Sequence, residues 1–338
     1  MKVMHIESGL GNQMLDYCDL LAEKSANPTA DIYIENIVYD IKGACEKICM
    51  WNGYELERVF GINVPNVKDL FSIEQWKRII QYVNDSEFWN DNWRYSDSIC
   101  NAFQNEGLIL NNVYSRPLEN EIKQRSGKFA KTLVGYTLKR HLFKLFKNHV
   151  VSEREMYIKN DSDDYTGHTL QFCYKKRNIE KIDRQIREAF VFPQIEDEYN
   201  RNMISKIQRD NSVAVHVRRG DMLSANRHYY EYGYFKRAVS FLKRKLEYPV
   251  FYFFCDFDSI DWVIRNMKVF GIDREQDKIV FAFGNSGKNS FRDMHLMSQC
   301  KHNIITNSSF GFWGAYLNNN KDKITCSPDI RINTTHTF

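Results

Sequence analysis

The alternation of apolar and polar positions is most regular between residues 196 and 326. Apolar runs of strand length are separated there by stretches in which apolar residues recur with helical spacing. The predicted strands are residues 213–215, 250–255, 279–283, 304–306 and 323–326, and the predicted helices are 196–208, 234–246, 260–267, 291–300 (with Ser290 and Asp293 as its capping pair) and one that starts near Phe310. This alternation predicts an α/β fold in which a parallel sheet carries helices on both sides.

The first half of the chain has a weaker pattern. The predicted elements are strands at residues 3–6, 31–38 and 170–174, a helix that ends near Ala22 and a helix at 176–190. A chain of 338 residues is long for one hydrophobic core and suits two domains of ordinary size.

Composition narrows the class of protein. The 47 basic and 43 acidic residues leave a net charge of +4, which permits an anionic substrate but is too small for a nucleic-acid-binding footprint. The eight cysteines form neither a C-x-x-C pair nor a Cys/His metal spacing, so we expect a reduced, cytoplasmic setting. We find no apolar segment with the length of a signal peptide or a membrane span.

Two stretches each leave two interpretations open. Residues 123–147 alternate basic and apolar side chains, which fits peripheral contact with the inner face of the cytoplasmic membrane or a helix packed on its own domain by its apolar side. Residues 51–101 are rich in aromatic side chains with polar residues between them, which fits a sugar-stacking cleft or an ordinary core.

Arg218 and Arg219 directly follow the predicted strand at 213–215. Ligands of parallel α/β sheets bind beyond the carboxyl ends of the strands, so two guanidinium groups at this place predict an anionic ligand such as a phosphate or diphosphate. The alternative is that both arginines are solvated loop charges paired with Asp221.

Two further strand ends carry polar side chains. Asn307, Ser308 and Ser309 precede the helix near Phe310, and hydroxyls and free N–H groups at a helix N-terminus favour a phosphate, although a serine there is also an ordinary cap. Asp256 and Asp258 follow the strand 250–255, and we expect one of them to accept hydrogen bonds from a nucleotide base or ribose rather than to bind a metal.

A turn with two glycines follows the first predicted strand. Gly9, Gly11, Asn12 and Gln13 lie where a strand runs into a helix, which lets backbone N–H groups approach a ligand closely. The third glycine of a dinucleotide fingerprint is missing, and a plain tight turn explains the pattern equally well.

Five motifs resemble the α-1,2-fucosyltransferases, particularly the bacterial ones. They are SGLGNQM at residues 8–14, YELERVFGINVP at 54–65, HVRRGD at 216–221, FYFFCD at 251–256 and DMHLMSQCKHNIITNSSFGFWGAYLN at 293–318. The resemblance implies a GT-B fold of two Rossmann-like domains that face each other across a cleft. It implies an acceptor-side domain at 1–190 and a donor-binding domain at 191–338.

The same resemblance implies GDP-fucose as donor, a terminal β-galactose as acceptor and no metal or other cofactor. It assigns Arg218 and Arg219 to the donor diphosphate, His216 to the donor or guanine side, Asp256 to the nucleoside, and Asn307, Ser308 and Ser309 to the β-phosphate. Phe310 is assigned to the donor site without a more specific role, and Gly9, Gly11, Asn12 and Gln13 are assigned to a loop that faces the cleft. The sequence departs from the family at Leu15, Asp16, Met222, Gly311 and Phe312.

The implied reaction is transfer of fucose with inversion. It requires cations and N–H donors for the leaving diphosphate, and Arg218 is the foremost candidate. Asp16, Glu7 and Asp221 are the candidates for a general base, while Asp221 is also a candidate structural partner of Arg219. The alternatives are a fucosyltransferase of another linkage, α-1,6 or protein O-linked, and a non-catalytic nucleotide-sugar binding protein.

Overall fold

The structure is a computed structural model that describes residues 1–43, 52–90, 95–113, 132–145, 161–167, 176–328 and 336–337. The chain forms two compact units, Met1–Pro117 with Glu153–Phe192, and Leu118–Ser152 with Pro193–Phe338. The division after Phe192 lies close to the predicted domain boundary. It differs from the prediction in that the described residues 132–145 group with the C-terminal unit.

The described elements follow in chain order. The strands are β1 (Lys2–His5), β2 (Ile32–Glu35), β3 (Asn111–Asn112), β4 (Asp164–Thr166), β5 (Asn211–Val217), β6 (Pro249–Cys255), β7 (Lys278–Phe281), β8 (His302–Ile304), β9 (Thr325–Ser327) and β10 (His336–Thr337). The α-helices are α1 (Leu10–Ala26), α2 (Leu56–Phe60), α3 (Ile73–Asp85), α4 (Tyr95–Asn105), α5 (Leu133–Leu145), α6 (Lys176–Lys181), α7 (Asp183–Ala189), α8 (Glu198–Arg209), α9 (Leu223–Glu231), α10 (Tyr234–Lys245), α11 (Ile260–Arg265), α12 (Met267–Phe270), α13 (Phe291–Gln299) and α14 (Ser309–Tyr316).

The C-terminal unit is built on a parallel sheet with the strand order β10-β9-β8-β5-β6-β7. Successive side chains of a strand point to opposite faces, and both faces are apolar here. Val213, Val215 and Val217 of β5 pack with residues of α10 and α12 in one cluster, whereas Ala214 packs with residues of α8 and α13 in another. Helices therefore cover both faces, which confirms the predicted α/β fold class.

The N-terminal unit has its own parallel sheet, in the order β2-β1-β4-β3. Its core joins Val3 and Tyr165 of the sheet to apolar side chains of α3 and α4. The predicted strand at 31–38 is shorter, because the chain turns into a 3-10 helix at Ile37–Tyr39. The predicted strand at 170–174 lies outside the described residues. Two parallel-sheet units agree with the two Rossmann-like domains expected of a GT-B enzyme.

Two predictions for the C-terminal unit need correction, and two of its elements were not predicted. The helix expected at 260–267 is two short helices, α11 and α12, since the chain leaves helical geometry at Asn266. Ser290 does not cap α13 with its side chain, and the Asp293 carboxylate accepts a hydrogen bond from Asn285 instead. Helix α9 and strand β10 were not predicted.

Helix α5 lies within the stretch 123–147, most of whose remaining residues are outside the described parts. Tyr136 packs against the C-terminal core, and its hydroxyl accepts a 2.7 Å hydrogen bond from Arg237, which explains why this helix groups with that unit. Leu133, Val134 and Leu138 are exposed. The predicted membrane contact stays a prediction. In the described parts of the chain, we find no helix that is long and apolar enough to cross a membrane.

Candidate functional site

The strand order of the C-terminal sheet brings two of the predicted phosphate-binding loops together. The chain passes from β5 to β6 on one side, and only after β7 does it return to pair β8 with the other side of β5. Val213 lies opposite His302 and Val215 opposite Ile304 in this parallel pair. The loops after β5 and β8 thus leave neighbouring strand ends in different directions, and such a switch point is where open α/β sheets bind ligands.

Arg218 is held between two carboxylates at this edge. Its guanidinium donates to Asp256 Oδ1 through one terminal nitrogen and to Asp221 Oδ2, at 3.0 Å, through the other. The side chain is 31% exposed. A guanidinium has five N–H donors. The two carboxylates therefore fix its orientation and leave donors for a further anion.

Asp256 organises the loop after β5. Its Oδ2 atom accepts a 2.8 Å hydrogen bond from the backbone N–H of Arg219, while Oδ1 pairs with Arg218. A Cβ atom at Gly220 would lie 3.3 Å from Oδ2, so only a small residue fits closely there. These contacts indicate that Asp256 positions the arginine loop; its predicted contact with the nucleoside stays a prediction. In the described residues, we find no group of three or more His, Cys, Asp or Glu side chains that could hold a metal ion.

The side chain of Arg219 does not pair with Asp221, the partner suggested by their spacing in the sequence. Asp221 pairs with Arg218 at 2.9 Å, so the suggested pairing of Asp221 with Arg219 is wrong. The guanidinium of Arg219 instead lies 3.7 Å from the ring centroid of Trp262, on α11. Among the described residues its Nε has no hydrogen-bond partner. A cation stacked on an indole keeps its charge and its edge donors available.

Two residues of the unpredicted helix α9 support the arginine loop. The carbonyl oxygen of Arg218 accepts hydrogen bonds from the Asn226 amide at 3.0 Å and from the Tyr230 hydroxyl at 2.9 Å. Both donors belong to buried residues, four positions apart on one helix face. That spacing was the only signal in the sequence that pointed to their common role.

His216, the penultimate residue of β5, is buried against the start of α14. Its ring stacks on Phe310 at a centroid distance of 5.8 Å, and its Nδ1 is 3.5 Å from Thr306 Oγ1. A Cβ atom at Gly311 would lie 2.4 Å from Nδ1, so the glycine at this position leaves room for the imidazole. Burial, with the nearby charge of Arg218, lowers the pKa of His216 to about 3. The ring is therefore neutral at physiological pH and serves as a spacer between β5 and α14.

Helix α14 starts beside this imidazole. Asn307 is exposed, and Ser308 occupies the N-cap position without a hydrogen bond from its side chain to the helix. The first N–H groups of a helix lack partners within that helix. Because Ser308 does not use its hydroxyl as a cap, ordinary capping does not account for this serine, and the hydroxyl can face a ligand.

The glycine turn of the N-terminal unit is a closely bonded loop. Ser8 has a positive φ of 72°, and its Oγ accepts a 2.8 Å hydrogen bond from Asn12. Gln13 is fully buried, and its amide bonds to the backbone of Ser8, Gly53 and Glu55 at 2.8, 2.9 and 2.8 Å. Gln13 therefore ties two loops together and does not present its amide to a ligand. Gly11 is buried, whereas Gly9, the N-cap of α1, is half-buried.

Buried ionisable groups lie at the same end of β1. Asp16 is 3% exposed and accepts a 3.2 Å hydrogen bond from the Glu7 N–H, so its burial argues against an acceptor hydroxyl reaching it directly. His5 Nδ1 pairs with buried Glu35, and its Nε2 lies 3.4 Å from Glu7. Burial alone lowers the pKa of His5, but the charge of Glu35 and hydrogen bonds to Glu35 and Glu7 outweigh it and raise the pKa to about 10. His5 is therefore an imidazolium. No motif in the sequence pointed to a buried charge at this position.

Comparison with known proteins now defines the family. The model of Glycosyl transferase family 11 matches residues 140–331, which is more than half of the chain. The chain belongs to this family, and the resemblance to α-1,2-fucosyltransferases is confirmed.

Individual relatives match over shorter spans. The chain is 31% identical over 185 residues to an α-1,2-colitosyltransferase of Escherichia coli, covering 52% of this chain and 60% of that enzyme. It is 33% identical over 110 residues to human galactoside α-(1,2)-fucosyltransferase 1, covering 31% of this chain and 28% of that enzyme. The matches thus span less than two thirds of these relatives. The solved structure of fucosyltransferase NodZ from Bradyrhizobium is 13% identical, with a TM-score of 0.43 over 93% of this chain and 91% of that one.

Proposed function

We propose that the protein transfers L-fucose from GDP-fucose, with inversion, to O2 of a terminal β-galactose. Membership of glycosyl transferase family 11 and the α-(1,2)-fucosyltransferase among the relatives support this reaction. The observation that carries the proposal is the pairing of β5 with β8, because it sets the arginine loop beside the start of α14. Both are features that bind a diphosphate.

The proposed donor site stabilises the leaving GDP without a metal. As the bond to C1 of the sugar breaks, negative charge grows on the diphosphate, and it needs cations and N–H donors that are already in place. Arg218 supplies a guanidinium oriented by Asp256 and Asp221. Arg219 supplies a second charge, and Ser308 with the first turn of α14 supplies neutral donors.

The proton of the acceptor hydroxyl must leave during the reaction. Among the candidates named for the base, Asp221 is exposed but bound to Arg218, and Asp16 is buried. Glu7 retains 15% exposure of its side chain. These properties favour Glu7 over Asp16 as the carboxylate that a sugar hydroxyl reaches.

A nucleotide-activated colitose is the second candidate donor, because of the match to the α-1,2-colitosyltransferase. The α-1,2-colitosyltransferase matches 52% of this chain, a larger share than the human fucosyltransferase does. A colitose-transferring enzyme would use the same diphosphate site and differ only in the sugar pocket.

The test is incubation of the full chain with GDP-fucose and a panel of β-galactosides, with the linkage of the product read by NMR. We expect fucose on O2 of galactose. A product of another linkage contradicts the proposed acceptor position, and turnover only with a colitose donor contradicts the proposed donor. Binding of GDP-fucose without release of GDP, with or without acceptor, supports a non-catalytic binding protein instead.

A further inference from the structure

The N-terminal unit contains a polar cavity of about 580 Å³ that the proposed donor site does not use. Its described lining residues come from the segment after β2 and from the end of α3 with the turn that follows: Lys42, Gly43, Asn84, Asp85, Glu87, Trp89 and Asn90. This volume is in the range typical of small-molecule sites. The lining contains one large flat side chain, the indole of Trp89, among hydrogen-bonding groups.

The position of the Trp89 indole depends on a glycine. The ring is half-buried and meets Phe88 edge-on at a centroid distance of 5.2 Å. A Cβ atom at Gly43 would lie 2.6 Å from both Cη2 and Cζ2 of the indole. No side chain fits at residue 43 unless the ring moves. The glycine therefore allows the indole to lie against the backbone and form a wall of the cavity.

The remaining lining groups suit a polyhydroxylated ligand. Asp85 and Glu87 offer carboxylate oxygens, and Asn84 and Asn90 offer amides that donate and accept. The Asn90 amide donates a 2.8 Å hydrogen bond to Glu87 Oε2, so these two groups are already oriented towards each other. Among the described lining residues there are two carboxylates and one ammonium, that of Lys42, so this part of the lining has a net negative charge, which disfavours an anionic ligand.

A neutral hexopyranose has the complementary chemistry. One face of the ring presents C–H groups that pack on an indole, while its edge presents hydroxyls for carboxylates and amides. We propose that this cavity binds a neutral hexopyranose residue of the acceptor glycan. The identification of that glycan as the acceptor rests on the proposed function.

Packed aromatic rings join the Trp89 wall of the cavity to the carboxyl end of β1. Phe88 lies against Tyr95 at a centroid distance of 6.1 Å, and Tyr95 stacks on His5 at 4.2 Å. Glu7 follows His5 by two residues and lies 3.4 Å from its Nε2. A chain of packed rings therefore links the proposed sugar subsite to the carboxylate that the proposed function favours for the acceptor hydroxyl.

The experiment compares Trp89→Phe, which keeps an aromatic face, with Trp89→Leu, which keeps apolar bulk and removes that face. Tyr82→Leu is the matched control, because Tyr82 is an exposed aromatic on α3 that does not line the cavity. For each full-length variant, KM and kcat are measured with a β-galactoside trisaccharide, and binding of the same trisaccharide without donor is measured by titration.

We expect Trp89→Leu to raise KM and weaken trisaccharide binding about tenfold, with kcat and GDP binding nearly unchanged. Trp89→Phe recovers most of the affinity, and Tyr82→Leu behaves as the wild type. Gly43→Ala is a second variant that keeps the indole but displaces it, and we expect the same loss. Thermal denaturation identifies any variant that fails to fold. The variants that do fold then decide whether the cavity binds the sugar.

The outcomes separate this proposal from the proposed function. If the wild type forms the fucosylated product while Trp89→Leu and Gly43→Ala keep the wild-type KM and trisaccharide affinity, the sugar subsite is overturned and the function stands. If no product forms but Trp89→Leu still weakens trisaccharide binding, the subsite stands and the proposed reaction fails. A wild-type protein that does not bind the trisaccharide overturns the subsite.

Discussion

The Oδ2 atom of Asp256 accepts a 2.8 Å hydrogen bond from the backbone N–H of Arg219, which ties the ends of β5 and β6 together. The other oxygen of the same carboxylate holds the Arg218 guanidinium. One carboxylate thus sets both the path of the loop and the direction of its first arginine. The proposed diphosphate site depends on this double contact.

Asp256→Asn tests the double contact. The carboxamide has one acceptor oxygen, so its NH2 group must face either Arg218 or the Arg219 N–H, which are both donors. We expect kcat/KM for GDP-fucose to fall about tenfold or more and stability to fall by about 1–3 kcal/mol. Asp258→Asn is the control, because Asp258 is exposed on the same segment. Equal kinetics and unfolding curves for the two variants would show that the contact has no role.

Arg218→Ala removes the cation that we place on the leaving diphosphate. Loss of one preorganised donor of this kind costs about a hundredfold or more in rate. The fold is retained, since Arg218 is partly exposed. Steady-state kinetics with circular dichroism check both statements. Arg227→Ala is the control, because Arg227 is an exposed arginine of α9 that pairs with Glu231 on the same helix. Near-normal turnover by Arg218→Ala would contradict the proposed site.

Gly311→Ala places a methyl group where the His216 imidazole lies, 2.4 Å from Nδ1. Overpacking of this kind costs about 1–3 kcal/mol, and the shift of α14 lowers affinity for GDP. A double-mutant cycle with His216→Ala isolates the clash. Gly311→Ala is expected to cost less in the His216→Ala background, as measured by urea denaturation. Equal costs in both backgrounds would mean that the two residues do not meet.

Two of the buried histidines, His216 and His5, respond to pH in opposite directions. The pKa of His216 falls to about 3, so stability is complete above about 6.5, the ordinary pKa, and decreases as pH falls towards 3 because only the unfolded chain takes up the proton. The pKa of His5 rises to about 10, so its contribution is complete below about 6.5 and is lost as pH rises through 10.

Histidine ring NMR checks both directions. Between pH 5 and pH 8 the ring signals of His216 are expected to stay at neutral-imidazole positions and those of His5 at imidazolium positions. His5→Gln and His216→Gln assign the signals. A midpoint between pH 6 and pH 7 for either ring would contradict the environment described for it.

Strands β5 and β6 were predictable because each contains a continuous apolar run that is followed by charged residues at its carboxyl end. The run at 213–215 lies inside β5, and the run at 250–255 matches β6 within one residue. Helix α9 was not predicted, because its sequence, LSANRHYYE, is mostly polar and gives only a weak apolar face. Tertiary packing of Tyr229 and Tyr230, which the local pattern does not encode, stabilises it.

Site residues were predictable where a polar or charged side chain directly follows a predicted strand. Arg218 and Ser308 follow apolar runs that the pattern identifies, and the strand order places the loops that carry them at the ends of adjacent strands. The partners were not predictable, because Asp221 has two arginines within three residues and sequence spacing does not choose between them. The stacking of Arg219 on Trp262 and the burial of Gln13 likewise depend on contacts between distant segments.

Titration of GDP and of guanosine into the full-length wild type, Arg218→Ala, Ser308→Ala and the double variant is the most direct test of the central claim. If the ends of β5 and β8 hold one diphosphate, each single variant weakens GDP binding, about tenfold or more for Arg218→Ala, while guanosine binding stays the same in all four proteins. Wild-type affinity for GDP in either single variant would contradict a shared diphosphate site.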